Sequence, residues 1–413
     1  MKKQLLTLFL LIYALGSYAI DGPYKSIRDF KVLPQNSPQV NAKNLQKAID
    51  WASTTGAALF VDPSDEPYAV SSGIILKPNV SLIGANPPEA RGTKNATKNA
   101  PVGSVFKIVD ADHPFITVES STAIKGIQFW YANQELTDPA KVIKYPPTIQ
   151  TSHTSSTQAV TLTDLTFYGE YEAMDFAAVS AQLKCELILI ENCYGYPLSG
   201  KFVSIDYCYD IPRILHCHVN PAIMRKMGFR FSKAIIDNVI QNKTYCYSIE
   251  HTDNAQLIDL FTFATYGGIH LGGETYGQLT NFNFDCVTIG IWKQGNNTKN
   301  RNWQIAQGSI IANAGTELGE IHPIVIEGQG HTAMTNVEAF SGGNGALTNV
   351  AQSQDFMLIK GDKKLTVSLV GSRMRNYVSA QPFTIQNPLA QVQAVACVDK
   401  DENLYNATFG VNK

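Results

Sequence analysis

The 413-residue sequence predicts an all-β fold, a single-stranded parallel β-solenoid of about ten coils closed at its N-terminal end by a capping helix. Three observations carry this reading. A short strand pattern recurs in residues 244–293, as Tyr247-Ser248-Ile249-Glu250, Gly268-Ile269-His270 and Ile289-Gly290-Ile291-Trp292. Each unit alternates, which gives one apolar face and one polar or aromatic face. The isoleucines of these units lie 20 and 22 residues apart, and a second strand pattern is interleaved with them, Leu257-Leu260-Thr262 and then Leu279-Phe282-Phe284. Finally, Ala42–Trp51 places Leu45, Ala48 and Ile49 at helical spacing ahead of the first strands, with Asn41 as the expected cap and Gly56 as the stop. An open coil end would expose apolar side chains and unpaired strand edges, so a solenoid requires such a cap.

The chain opens Met1-Lys2-Lys3, followed by an apolar run from Leu5 to Leu15 and then Gly16-Ser17-Tyr18-Ala19. A basic start, a short apolar core and small residues at its end predict a signal peptide over 1–19 and export to the periplasm or beyond the cell. No later segment is apolar for about 18 residues, so no membrane span is expected. Lys and Arg number 33 against 35 Asp and Glu, a balance that excludes nucleic acid as a partner read from charge. The seven cysteines are irregularly spaced without a CxxC, which favours buried thiols acting as small hydrophobes and leaves a disulfide open in an oxidising compartment.

Residues 20–413 read as one coil stack. Cap and first coils take 20–85, loop insertions fall at 86–103 and 132–158, and C-terminal coils with a second cap take 340–413. Strands are predicted at Ala58–Val61, Tyr68–Val70 and Val80–Gly84. The run from Ser26-Ile27-Arg28-Asp29-Phe30, through Leu45-Gln46-Lys47-Ala48-Ile49, to Leu59-Phe60-Val61-Asp62-Pro63 and Val80-Ser81-Leu82-Ile83-Gly84 resembles the start of the pectate-lyase superfamily β-helix domain. That grouping includes rhamnogalacturonase-like and epimerase-like proteins and phage tailspikes. The resemblance implies a right-handed β-helix and a polysaccharide partner, and trimers known in the superfamily leave a homotrimer open. Where many relatives carry Gly-Asp-Gly and paired Asp before the helix, this chain has Gln35-Asn36-Ser37-Pro38-Gln39-Val40, so the cap does not select an activity.

Two columns run through the repeats. The first has Ile124, Leu162, Leu187, Ile214, Ile236, Leu257, Leu279, Ile305 and Met334 pointing in. Two residues on stand Asp164, Leu189, His216, Asn238, Asp259, Asn281, Gln307 and Asn336, a predicted hydrogen-bonded ladder near a coil corner. The second has Ile205, Phe229, Ile249, Ile269, Ile291, Ile326, Ile359 and Ile385 pointing in. The next residues, Asp206, Arg230, Glu250, His270, Trp292, Glu327, Lys360 and Gln386, form a predicted outward file.

That file carries the chemistry. Trp292 offers a face for a sugar ring, and Glu327 and Lys360 offer polar contacts. Hydrolysis of a glycosidic bond needs two carboxyl groups, here Asp206 and Glu250, expected two coils apart at the wider spacing of inverting enzymes. Elimination on a uronic-acid polymer instead needs a base, His270, and a cation to neutralise the carboxylate, Arg230, with Lys293 and Arg301 adding positive charge for an acidic sugar. Glu274, after Gly272-Gly273, would swing over the groove from its turn. No cofactor is expected: lyases of the superfamily often use Ca²⁺, but no compact acidic cluster is evident. His216 and His218, at i and i+2 on a strand, share a face as metal ligands without an evident third. The reading is an exported hydrolase or lyase acting on a polysaccharide. The alternatives are a non-catalytic glycan-binding, adhesin- or tailspike-like solenoid, or a surface ion-pair ladder of little energetic weight.

Overall fold

The computed structural model describes residues 24–88, 100–177, 180–226, 228, 230–296, 302–340 and 350–410. The expected signal peptide, Phe229 and Arg301 lie outside them. Among the described residues, 34 strands join in one hydrogen-bonded network. The coils stack as a three-sided parallel β-helix. The first face runs from Ile74–Leu76 to Phe383–Ile385, the second from Tyr24–Ser26 to Ala390–Val398, and the third from Tyr68–Val70 to Arg373–Met374. Every ladder between these strands is parallel until the last coil, where Leu404–Phe409 pairs antiparallel with Ala390–Val398 and closes the end. No helix among the described residues is long and apolar enough to cross a membrane.

The cap is helix α1, Pro38–Thr55, longer than its apolar spacing alone predicts. Ser37 rather than Asn41 caps it, its hydroxyl accepting from the Val40 N–H, while Pro38 needs no donor in the first turn. Asn41 is instead buried, and its amide ties Leu33 to Ala69. Gly56 ends the helix at φ 67°, a conformation that favours glycine.

The interior is a continuous apolar column in which Ile124, Leu162, Ile214, Leu257, Leu279, Ile305 and Met334 are in register. Two members of the expected column differ. Ile190, not Leu187, pairs with Leu162 and Ile214, and Leu187 is exposed at φ 53°. Ile236 and Asn238 belong to a helix, Lys233–Gln241. The outward ladder is therefore Asp164, Asn192, His216, Asp259, Asn281, Gln307 and Asn336, and each has a φ between 52° and 57°. This is the corner between second and third faces. A left-handed residue turns the chain there, and Asn and Asp tolerate that conformation best after glycine. Asn192 donates to Asp164 at 2.7 Å and His216 bonds Asp259 at 2.9 Å. All seven cysteines are buried with free thiols, packed as small hydrophobes.

Residues 220–244 leave the coil path. They hold helix α2, Ala222–Lys226, and helix α3, Lys233–Gln241, capped by Ser232. Ile235, Ile236, Val239 and Ile240 form the buried stripe of α3. Its isoleucines, at a spacing close to one coil, imitate a repeat. The 132–158 segment also differs from a plain insertion, because Ile149–Thr151 is a first-face strand paired with Ile116–Val118.

Candidate functional site

The first face carries the candidate site, on strands Met174–Ala177, Val203–Cys208, Tyr245–Thr252, Gly267–Gly272 and Ile289–Lys293. Ile205 pairs directly with Ile249, and Asp206 with Glu250, so the helical insertion falls within one coil. Asp206 and Glu250 are thus on adjacent coils rather than two apart. Arg230 lies in the insertion, exposed beside Trp130 and Glu135, and is not part of the file. The alternation Phe229-Arg230-Phe231 imitates a strand, but Arg230 and Phe231 lie in the connection between α2 and α3.

The register of the next strand also differs from the expected file. Glu250 pairs with Gly272, while His270 pairs with Ser248 and Trp292 with His270. The face therefore bears two parallel columns, Asp175, Ser204, Ser248, His270 and Trp292 in one, and Ala177, Asp206, Glu250 and Gly272 in the other. Glu327, Lys360 and Gln386 continue beyond the second column on later coils, each following the in-register Ile326, Ile359 and Ile385. The two-residue offset still leaves His270 diagonal to Glu250.

The contacts are specific. His270 Nδ1 lies 3.5 Å from Glu250 Oε1, and its Nε2 lies 3.0 Å from Gln294 Oε1. Ser248 donates to Glu250 Oε1 at 3.3 Å. The His270 contact holds the Glu250 carboxyl below its ordinary range, with burial opposing. His251 Nδ1 lies 2.7 Å from Asp206 Oδ1, which also accepts from the Tyr207 N–H. Burial nevertheless pushes Asp206 up, and the Glu250 charge adds to this. Asp175, more deeply set, is also raised by burial. These carboxyls line an open cleft of about 340 Å³, together with Glu172, Lys201 and Tyr245.

Aromatic rings flank the carboxyls. Trp292 is half-buried, its ring centroid 4.6 Å from His270 and 5.5 Å from Tyr245, with Lys360 Nζ 5.8 Å from the indole. Lys360 also pairs with Glu327 at 3.1 Å. On the other flank Tyr207 and His251 stack at 4.6 Å and 7°. Glu274 is exposed on its turn.

Lys293 points inward. It is 1 % exposed, and its ammonium donates to the carbonyls of Gly295, Glu327 and Gln329 at 2.6, 3.3 and 2.7 Å. Burial pushes it down to about 8. It braces the turns beside the site and presents no charge to a substrate. Lys293→Met takes the ammonium donor from the buried Gly295 carbonyl and the half-buried Glu327 and Gln329 carbonyls, and the expected cost is about 2–4 kcal/mol in a denaturant melt.

Sequence reasoning passed over His251, Asp175 and Tyr245. Strict alternation sends the residue after an outward Glu250 to the interior. His251 has φ 41°, however, and the chain bends so that both residues face out. Asp175 needed only one more coil of the same column, since Phe176 pairs with Ile205. Gly272 matters for a steric reason: a Cβ there would fall 2.7 Å from His270 Cε1 and 3.0 Å from Glu250 Cγ. Gly272→Ala is expected to displace the Glu250–His270 contact and cut turnover about 10- to 100-fold without unfolding the protein, read as kcat beside a thermal melt.

As to metals, one donor atom each from Asp206, Glu250 and His251 lies within 4.8 Å of the others, a compact cluster that the sequence did not reveal. A cation there would have to displace the Asp206–His251 hydrogen bond. The nitrogen donor also departs from the all-oxygen set Ca²⁺ prefers. His216 and His218 diverge, because His216 sits at a left-handed corner against Asp259 while His218 stacks between Tyr194 and Phe261.

No protein-family model matches the sequence, and no curated protein does. Solved structures do resemble the fold. The catalytic domain of Agl-KA, 9 % identical, covers 93 % of this chain and 66 % of its own, with a TM-score of 0.55. A double mutant of the tailspike protein of E. coli bacteriophage HK620, 11 % identical, covers 91 % and 65 %, with a TM-score of 0.50. The fold shared with them is a right-handed parallel β-helix. The exopolygalacturonase of Thermotoga maritima, 11 % identical over 94 % of both chains, has a TM-score of 0.49. This β-helix spans just under two thirds of the Agl-KA and tailspike chains. At these identities the likeness establishes fold and nothing of chemistry.

Proposed function

We propose that this β-helix is an exported carbohydrate-active enzyme that hydrolyses a glycosidic bond in a polysaccharide laid along the first face. The carrying observation is the Asp206–Glu250 pair, on adjacent coils, with one carboxyl pushed up by burial and the other held down by His270. Opposed shifts on neighbouring carboxyls divide the roles of proton donor and anion. Asp206 donates the proton to the leaving oxygen, and ionised Glu250 faces the sugar carbon. Their donor atoms lie within 4.8 Å, which suits the close spacing of retaining enzymes better than the wider inverting one. Trp292 and Tyr245 supply ring faces for flanking sugars.

Elimination fits less well. His270 already spends both nitrogens on Glu250 and Gln294, and the Arg230 cation lies off the face. Glu172, Asp175, Asp206 and Glu250 crowd the cleft against Lys201, which is itself paired with Glu172 at 3.3 Å. That charge balance favours a neutral sugar over a uronate at the point of cleavage.

The test is a panel of neutral and uronate polysaccharides, assayed for new reducing ends and for absorbance of unsaturated uronate ends. Reducing ends from a neutral polymer, without unsaturation, support the reading. Unsaturated ends would establish a lyase. Binding with no product from any polymer would leave a glycan-binding module.

A further inference from the structure

We propose a second catalytic site on the second face, at the C-terminal coils, where Ser368 transfers a small acyl group from an ester to water. His331 stands on strand Gly330–Phe340, and Thr366 and Ser368 on the next coil in Leu365–Val370. His331 pairs in register with Thr366, and its ring lies along that neighbouring strand. Each ring nitrogen consequently meets a hydroxyl: Nδ1 lies 2.7 Å from Thr366 Oγ1, and Nε2 lies 3.3 Å from Ser368 Oγ. With Nδ1–H donated to Thr366, Nε2 keeps its lone pair and accepts the Ser368 proton. This is the order nucleophile, base and orienting acceptor.

The three residues open onto a cleft of about 390 Å³ that belongs to neither the first face nor its carboxyls. Thr408–Gly410, from the closing antiparallel strand, form one wall, and half-buried Phe409 gives it an apolar side. The cleft has room for an acyl group beside Phe409, and acetyl is the simplest that it takes, with the alcohol portion left in solvent. One coil on, Gln393 is in register with Ser368 and faces out, so its amide can donate to a developing oxyanion.

The chemistry closes on these groups and water. Ser368 Oγ gives its proton to His331 Nε2 and bonds to the ester carbonyl carbon. The carbon–alkoxide bond breaks, and the alcohol leaves with that proton. Water then gives a proton to His331 and attacks the acyl carbon. The acyl–Oγ bond breaks, the proton returns to Ser368, and the net change is ester plus water to acid plus alcohol.

The experiment is labelling of the full-length protein with a fluorophosphonate probe, mapped by peptide mass spectrometry, beside turnover of p-nitrophenyl acetate. Modification of Ser368 is expected in the wild type, a readout that needs no variant. His331→Asn should slow labelling about a hundredfold, and Ser368→Ala should remove ester turnover, with melting temperature and first-face glycan cleavage unchanged. Ser368 left unmodified under conditions that label a known serine esterase, or ester turnover that survives Ser368→Ala, would overturn the proposal. Neither result bears on Asp206 and Glu250.

Discussion

Replacing Glu250 by Gln is expected to lower glycan turnover about a thousandfold while oligosaccharide binding stays within a few-fold of wild type. The amide keeps the volume, and its oxygen can still accept from Ser248 and His270, the partners that hold Glu250 in place. What it loses is the anion. Asp206→Asn should fall by a similar factor through the opposite defect, loss of a transferable proton. The two variants separate in pH dependence. Glu250 is held low by His270, so the wild-type acidic limb of activity should lie below the ordinary carboxylate range. Asp206 is raised by burial, so the basic limb should lie above the ordinary carboxylate range. Rate against pH on a soluble oligosaccharide checks both limbs. A Glu250→Gln variant with wild-type kcat would remove this residue from the chemistry.

The second large effect is on stability and lies away from the site. Glu170 is fully buried, accepts the Tyr196 N–H at 2.8 Å through Oε1, and leaves Oε2 without a partner. Burial pushes its carboxyl from 4.5 up to about 8. The folded chain therefore holds a proton that the unfolded chain releases near pH 4.5. This contribution is fully present below that pH and is lost as pH rises through about 8. At about 1.4 kcal/mol per unit, the loss across that window is of the order of 4–5 kcal/mol. Glu170→Gln keeps the acceptor for Tyr196 and cannot ionise. The variant should match wild type near pH 4.5 and become steadily more stable than it toward pH 8, as read from urea melts at several pH values. Parallel curves for the two proteins would contradict the buried proton.

Much of this architecture is legible in the sequence because a parallel β-helix repeats one instruction. Alternating Ile249, Ile269 and Ile291 declare which face of each strand points in, and the polar residues two places after Leu257, Leu279 and Ile305 declare the corner. The corner ladder reads clearly for a backbone reason, since left-handed positions select Asn and Asp. The site is less legible. Apolar spacing fixes which residues point in, but not the coil to which a strand belongs. Phe229 stands 24 residues after Ile205 and 20 before Ile249, near-coil spacing in a segment that carries two helices, and so Arg230 enters the file by arithmetic alone. The next strand is displaced by two residues, a shift that preserves inward and outward sense and leaves no mark on the pattern. Lys293 shows the limit from the other side. It occupies an inward position, and only the ring of carbonyls around it explains why a lysine is there.

A polymer lying across the Asp206 and Glu250 columns is the geometry on which hydrolysis at this face depends. A crystal of the Glu250→Gln protein soaked with the longest soluble oligosaccharide that it binds tests this most directly. Sugar density should run along the first face, with one ring against Trp292 and a glycosidic oxygen beside the Asp206 carboxyl. Density confined to the second or third face, with the Asp206 cleft holding only solvent, would contradict it.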